Sequence, residues 1–193
     1  MTTKEKIIDA ATEIFAEKGY KGMTMKEIAN EVGIKPPSVY AFFKSKEDVF
    51  LHIYKDILSR HLDLAMNSAN QFRDKPIKEQ LEQILLQVIN FQFKESLQMK
   101  VLIRLMLFPP EFMANSITAD FFEVEKKEHE MLSSIFKQGM ENGEIRSGDC
   151  NAIATAMLCM MDGLFWEMQR YDEATFHERF EVIWEQFWIG IKC

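Results

Sequence analysis

Cysteine, glycine and proline are all scarce in this 193-residue chain, at three, eight and five residues. Cys150, Cys159 and Cys193 make an odd set without metal-binding spacing, which argues against a disulfide framework or a zinc site. Cys159 is expected in the packed interior and Cys193 as a loose terminal residue. No run of about 18 apolar residues occurs, so no membrane span is expected. The opening residues, MTTKEKIIDAA, lack the apolar core of a signal peptide. A cytoplasmic chain with free thiols and no membrane partner is the simplest expectation.

Catalytic constellations are equally thin. Glu-x-x-His, the spacing needed at di-iron bundle sites, does not occur. His-Glu-x-x-His is also missing, because His177-Glu178 is followed by Glu181. There is no phosphate-cradling glycine loop and no cysteine paired in sequence with a histidine. Asp48/His52, Glu125/His129 and Glu173/His177 are each four apart and read as ordinary surface ion pairs on helices. Neither an enzyme nor a cofactor is expected.

What the chain does have is helical periodicity almost throughout. Ile7, Ile8, Ala11, Ile14 and Phe15 mark the inner face of a first helix that Gly19 ends. Later helices are expected from Lys46, from Pro76, over about Gln98–Leu107, over Thr118–Glu141, from Asp149 to Tyr171 and over Glu173–Ile191. A polar stretch from Asn67 to Lys75 reads as a connection. No segment alternates convincingly as a strand, so the fold class is all-α.

Residues 24–46, TMKEIANEVGIKPPSVYAFFKSK, carry the most specific signal. Thr24 with Glu27 three residues on suggests a capping box. Met25, Ile28, Ala29 and Val32 give one apolar face, and Gly33 suits a left-handed helix end. Pro36 and Pro37 then open a second short helix, where their missing N–H groups cost nothing. Ser45 with Asp48 suggests the cap of the next helix, starting at Lys46. Two short helices across a tight glycine turn are the layout of a DNA-reading helix-turn-helix.

The run IIDAATEIFAEKGYKGMTMKEIANEVGIKPPSVYAFFKSKEDVF resembles the DNA-binding domain of the TetR family of bacterial regulators. The matching pieces are AxxIFAEKGY from Ala11, TMKEIA from Thr24, VGI from Val32, VYAFF from Val39 and KSKEDVF from Lys44. The resemblance implies an N-terminal helix-turn-helix domain, here residues 1–48. A helical ligand-binding and dimerisation domain, residues 49–193, would follow it. It implies phosphate contact by Thr24, a reading edge at Lys35, Pro36, Pro37 and Ser38, and backbone clamps at Tyr40 and Lys46. Lysines, hydroxyls and helix N-termini are the groups that phosphate attracts. Phe42 stands where the family usually has Tyr or His. Pro-Pro replaces a small polar pair, so reading is expected to use thymine methyls and shape.

Charge follows the same division. The whole chain is −7, yet residues 18–46 hold six lysines against two glutamates. Residues 51–193 hold 15 basic and 22 acidic residues. Positive charge is therefore gathered at the proposed reading head.

In the rest of the chain, two features bear on function. Ala152, Ala156, Cys159 and Gly163 form a small-residue stripe. Phe176, Phe180, Ile183, Trp184, Phe187, Trp188 and Ile191 form an aromatic stripe on the last helix. Together they are the expected homodimer interface, monomer core being the competing reading. The family resemblance also implies a pocket for a small hydrophobic or amphipathic effector. Phe91, Met99, Ile103, Met106, Phe122, Asp162 and Trp166 are its candidates, and Arg104 and Asp162 are the polar groups placed most unusually among apolar neighbours. The expected function is a dimeric repressor on a palindromic operator, released by that effector. The alternative is a helical carrier of hydrophobic ligands that has lost DNA binding.

Overall fold

In the computed structural model, Thr2 closes a capping box with Glu5 and starts α1, Thr3–Gly22. The structure describes residues 1–113 and 116–193, and of residues 114 and 115 the backbone alone. α2 is Met25–Val32, α3 Pro36–Tyr40, α4 Lys46–Gln71 and α5 Ile77–Lys94. α6 is Ser96–Leu107, and a single 3₁₀ turn, Glu111–Met113, follows it. α7 is Ala114–Glu141, α8 Cys150–Glu167 and α9 Glu173–Ile191. Among the described residues the only β pairing is an isolated bridge, Ile145 with Lys192. The fold is all-α, as expected.

Two compact units divide the chain. Met1–Arg60 and Lys94–Phe121 form the first; His61–Phe93 and Phe122–Cys193 form the second. The head expected over residues 1–48 lies within the first unit, which also takes in α6 and the 3₁₀ turn. Its buried residues include Ile7, Ala11, Ile14 and Phe15 of α1, with Ile28 and Ala29 of α2. Val39 of α3 and Phe50 and Tyr54 of α4 are wholly buried with them. Gly19 interrupts α1 at φ 70° and ψ −179°, as its helix-ending role requires.

The second unit is built on α5, Leu132–Phe136 of α7, α8 and α9. Leu81, Ile84, Phe136, Met157, Phe176 and Trp184 lie at the centre of its core. Here one expectation is corrected. Phe176, Phe180, Trp184, Trp188 and Ile191 point into this core, and Ile183 and Phe187 pack half-buried against it. The aromatic stripe of α9 is monomer core because wide apolar rings find their partners within the chain. The small-residue stripe behaves oppositely. Ala152, Ala156, Cys159 and Gly163 are all exposed, so Cys159 is not interior as expected.

Local physics explains the other shifts in boundary. α4 runs through Asn67 to Gln71 because Ala65, Ser68 and Ala69 form a small buried face at helical spacing. The Gln80 amide donates to the Ala69 carbonyl at 3.1 Å, satisfying a helix-end acceptor that would otherwise be buried alone. Asp149 caps α8 by accepting from the Asn151 and Ala152 N–H groups, as expected. α8 stops at Glu167 rather than Tyr171, and Asp172 caps α9 through the Thr175 N–H.

The three expected surface ion pairs are replaced by other contacts. His129 bonds to the Asn151 carbonyl and Thr155 hydroxyl, His177 to the Glu173 carbonyl, and His52 lies edge-on to Phe43. In the second unit His61 sits 3.3 Å from the buried Glu128 carboxylate, a pairing across 67 residues that periodicity does not reveal.

Candidate nucleic-acid interface

The interface is built on the α2–turn–α3 segment. The Thr24 hydroxyl accepts from the Glu27 N–H at 3.1 Å and caps α2. Glu27 does not complete the expected reciprocal box. Its carboxylate instead takes the Thr24 hydroxyl proton at 3.0 Å and pairs with Lys18 at 3.1 Å. The Lys18 ammonium, then the Thr24 hydroxyl, hold the Glu27 carboxyl below its ordinary value.

Gly33 ends α2 at φ 73°, and the Ile34 N–H returns to the Ala29 carbonyl at 2.9 Å. This is the left-handed helix end that the glycine permits. Lys35 then stands at the N-cap of α3, Pro36 and Pro37 fill its first turn, and the Ser38 N–H bonds to the Lys35 carbonyl at 2.8 Å. Val39 is fully buried and anchors α3 from below. Lys35, Pro37, Ser38 and Tyr40 face solvent, and Pro36 is half-buried. Phe42, read from the resemblance as standing where Tyr or His is usual, is 46% exposed. The reading edge thus offers one ammonium, one hydroxyl and one phenol on a largely apolar ground. Such a surface can meet phosphate and thymine methyls.

Ser45 caps α4 by accepting from the Asp48 N–H, and Asp48 accepts from the Lys44 N–H at 2.8 Å. Lys46 is not a free clamp. Its ammonium donates to the Tyr20 carbonyl at 2.8 Å and lies 3.9 Å from the centre of the Tyr20 ring. The Tyr20 hydroxyl in turn donates to the Glu47 carboxylate. That bond, ahead of backbone and Ser45 contacts, lowers Glu47 to about 2. Burial, then Glu47, pushes the Tyr20 phenol upward. Tyr20 is therefore a hub of the interface. Its sequence signal was present in the motif, but nothing local disclosed its partners. Lys21, Lys26, Lys35 and Lys44 are exposed on the same unit.

The effector candidates divide between the units. Met99 is buried, Ile103 half-buried and Met106 48% exposed in the first. In the second, Phe91 and Trp166 are half-buried, Phe122 is 64% exposed and Asp162 is exposed. Partial enclosure of its carboxyl, then Glu125 and Glu128, raises Asp162. Trp166 lines an open cleft of about 440 Å³ with Met160, Gly163, Leu164, Glu167 and Ile183. The Arg104 guanidinium donates to the Glu17 carbonyl of α1 at 2.7 Å.

Residues 7–53 match the family model "Bacterial regulatory proteins, tetR family". Across 174 residues the chain is 28% identical to the uncharacterized HTH-type transcriptional regulator YhgD of Bacillus subtilis (strain 168), covering 86% of this chain and 85% of that one. It is 35% identical over 115 residues to the biofilm operon icaADBC HTH-type negative transcriptional regulator IcaR of Staphylococcus aureus (strain Newman), which is 58% of each. In fold it is similar to SmeT, the repressor of the Stenotrophomonas maltophilia multidrug efflux pump SmeDEF. That match has a TM-score of 0.75 at 17% identity, covering 100% of this chain and 92% of that one.

Proposed function

Given that the chain is a TetR-family regulator by its helix-turn-helix, we propose that it represses transcription as a homodimer on a palindromic DNA operator and leaves the operator when a small hydrophobic or amphipathic effector binds. The observation that carries this reading is the exposed edge of α3. Lys35, Pro37, Ser38 and Tyr40 stand clear of the fold while Val39 holds the helix from beneath. Phosphate contacts would supply affinity, and the apolar edge would read thymine methyls and groove shape. The likeness to IcaR, a negative regulator by name, supports repression.

The dimer reading rests on what α8 and α9 leave uncovered. Ala152, Ala156, Cys159 and Gly163 form an exposed strip of small side chains on α8. On α9, Val182 is 64% and Ile189 48% exposed, although the aromatics turn inward. Small residues permit close approach, and exposed β-branched residues gain by being covered. A twofold axis would place two heads on successive half-sites. The effector must bind the released arrangement more tightly, or it shifts nothing. α4, continuous from Lys46 to Gln71, would carry the change. Among the described residues no helix is long and apolar enough to cross a membrane.

Selection of bound duplexes from a random pool at physiological salt tests the proposal. Recovery of a palindrome is the expected result. A folded protein that enriches no sequence and shows no salt-sensitive DNA binding would instead favour a ligand carrier.

A further inference from the structure

The α1 bend at Glu17–Tyr20 receives contacts from three elements inside the first unit. From α6, Arg104 Nη2 donates to the Glu17 carbonyl at 2.7 Å, two residues before Gly19 interrupts α1. A cation at a helix C-terminus also meets the negative end of the dipole. Gly19, next in line, has φ 70°, and a β-carbon there would stand 3.2 Å from Arg104 Nη1. The glycine thus serves both the bend and the guanidinium. From the 3₁₀ turn, the Phe112 ring packs 5.1 Å from Tyr20 and 6.3 Å from Phe50. From α4, Lys46 stands on the Tyr20 carbonyl and ring.

We propose that Arg104 is a positioning residue for DNA binding: it fixes the Gly19 bend, and the bend fixes the Lys46 ammonium through Tyr20. Lys46 is the candidate phosphate contact, so α6 governs the DNA face without touching DNA. Met99, Ile103 and Met106 share α6 with Arg104. A ligand that moved this helix would therefore reach the DNA face by a route separate from the length of α4. The inference rests on the DNA-binding reading given above.

The full chain tests it by a double-mutant cycle with Arg104→Met and Lys46→Ala. Affinity would be read for a fixed 30-base-pair duplex at low salt, because phosphate contact is independent of sequence. Each single variant is expected to bind about fivefold or more weakly. The double variant is expected to bind no worse than Lys46→Ala alone, within about twofold. Arg104→Lys keeps one donor for the carbonyl and is expected to recover most of the loss. Wild-type affinity in Arg104→Met, or losses that multiply in the double variant, would overturn the proposal.

A second readout needs no DNA. NMR titration of the Glu47 carboxyl reports the Tyr20 hydroxyl bond. In Arg104→Met it is expected to rise from about 2 toward the ordinary 4.5. Arg104→Gln serves if the Met variant loses helical signal. A Glu47 titration identical to wild type would sink the positioning role even if DNA binding holds. Absence of DNA binding by the wild-type chain, with Glu47 moving as stated, would sink the regulator reading and leave the bend contact intact.

Discussion

Lys46 and Tyr20 are joined twice, by a 2.8 Å hydrogen bond from the ammonium to the backbone carbonyl and by the same ammonium 3.9 Å above the ring. Lys46 begins α4 and Tyr20 follows the bend that interrupts α1. The charge expected to meet DNA is therefore held in place before DNA arrives. Preorganisation of this kind lowers the ordering cost of binding.

Lys46→Ala should accordingly weaken binding to the selected operator and to random duplex by about the same factor. Fluorescence anisotropy over a salt series should show a slope smaller by about one. An unchanged slope would remove Lys46 from the phosphate contacts.

Tyr20→Phe isolates the second half of the hub. Without the hydroxyl, Glu47 should titrate above about 2 but still below its ordinary value, because the backbone and Ser45 contacts remain. Because its folded value is depressed, Glu47 contributes stability that is present above about 4.5 and lost as pH falls toward about 2. Acid unfolding of wild type should thus carry a limb in that window that is smaller in Tyr20→Phe. Glu47 is exposed, so the effect on the midpoint should be small. Superimposable acid curves and unchanged NMR titration would disprove the link.

Gly33 offers a test of backbone conformation alone. Its φ is 73°, and a β-carbon built there meets nothing within 4 Å. Gly33→Ala should destabilise the protein by about 1 kcal/mol, and Gly33→Asn by less, since Asn tolerates the left-handed region. Urea unfolding of the two variants would show the order, and equal losses would contradict it.

This turn was legible in sequence because its determinants are local: a cap at Thr24, a glycine at position 33 and two prolines at 36 and 37. The whole α2–turn–α3 unit is specified within 20 residues. The contacts that position it are not local. Lys46 meets Tyr20 across 26 residues, and Arg104 meets Glu17 across 87. Periodicity identified α6 and marked Arg104 as unusual, but spacing alone cannot say which helix end a guanidinium caps. The same limit explains α9. Its period gave an apolar face correctly, while the choice between monomer core and partner subunit depended on α5, α7 and α8 packing against it. Residues 67–71 were read as a connection from their polarity, although Ser68 and Ala69 are small enough to be buried in a helix.

Gly163 separates the stability of one chain from that of the proposed dimer. It lies within α8, has ordinary helical φ, and a β-carbon there would enter open space. In an isolated chain Gly163→Ala should be neutral or stabilising by up to about 1 kcal/mol, because alanine forms helix better than glycine. In a dimer that closes over Ala156, Cys159 and Gly163, each added carbon fills space needed by the other helix. Gly163→Leu should then raise the dimer dissociation constant about tenfold or more, since overpacking an interface typically costs about 1–3 kcal/mol. Sedimentation over a concentration series would measure it, with thermal melts at low concentration as the control for folding. Loss of dimer with an intact melt places the interface on the α8 strip. An unchanged dimer would move the interface off the strip, and the exposed Val182 and Ile189 on α9 would become the next surface to alter.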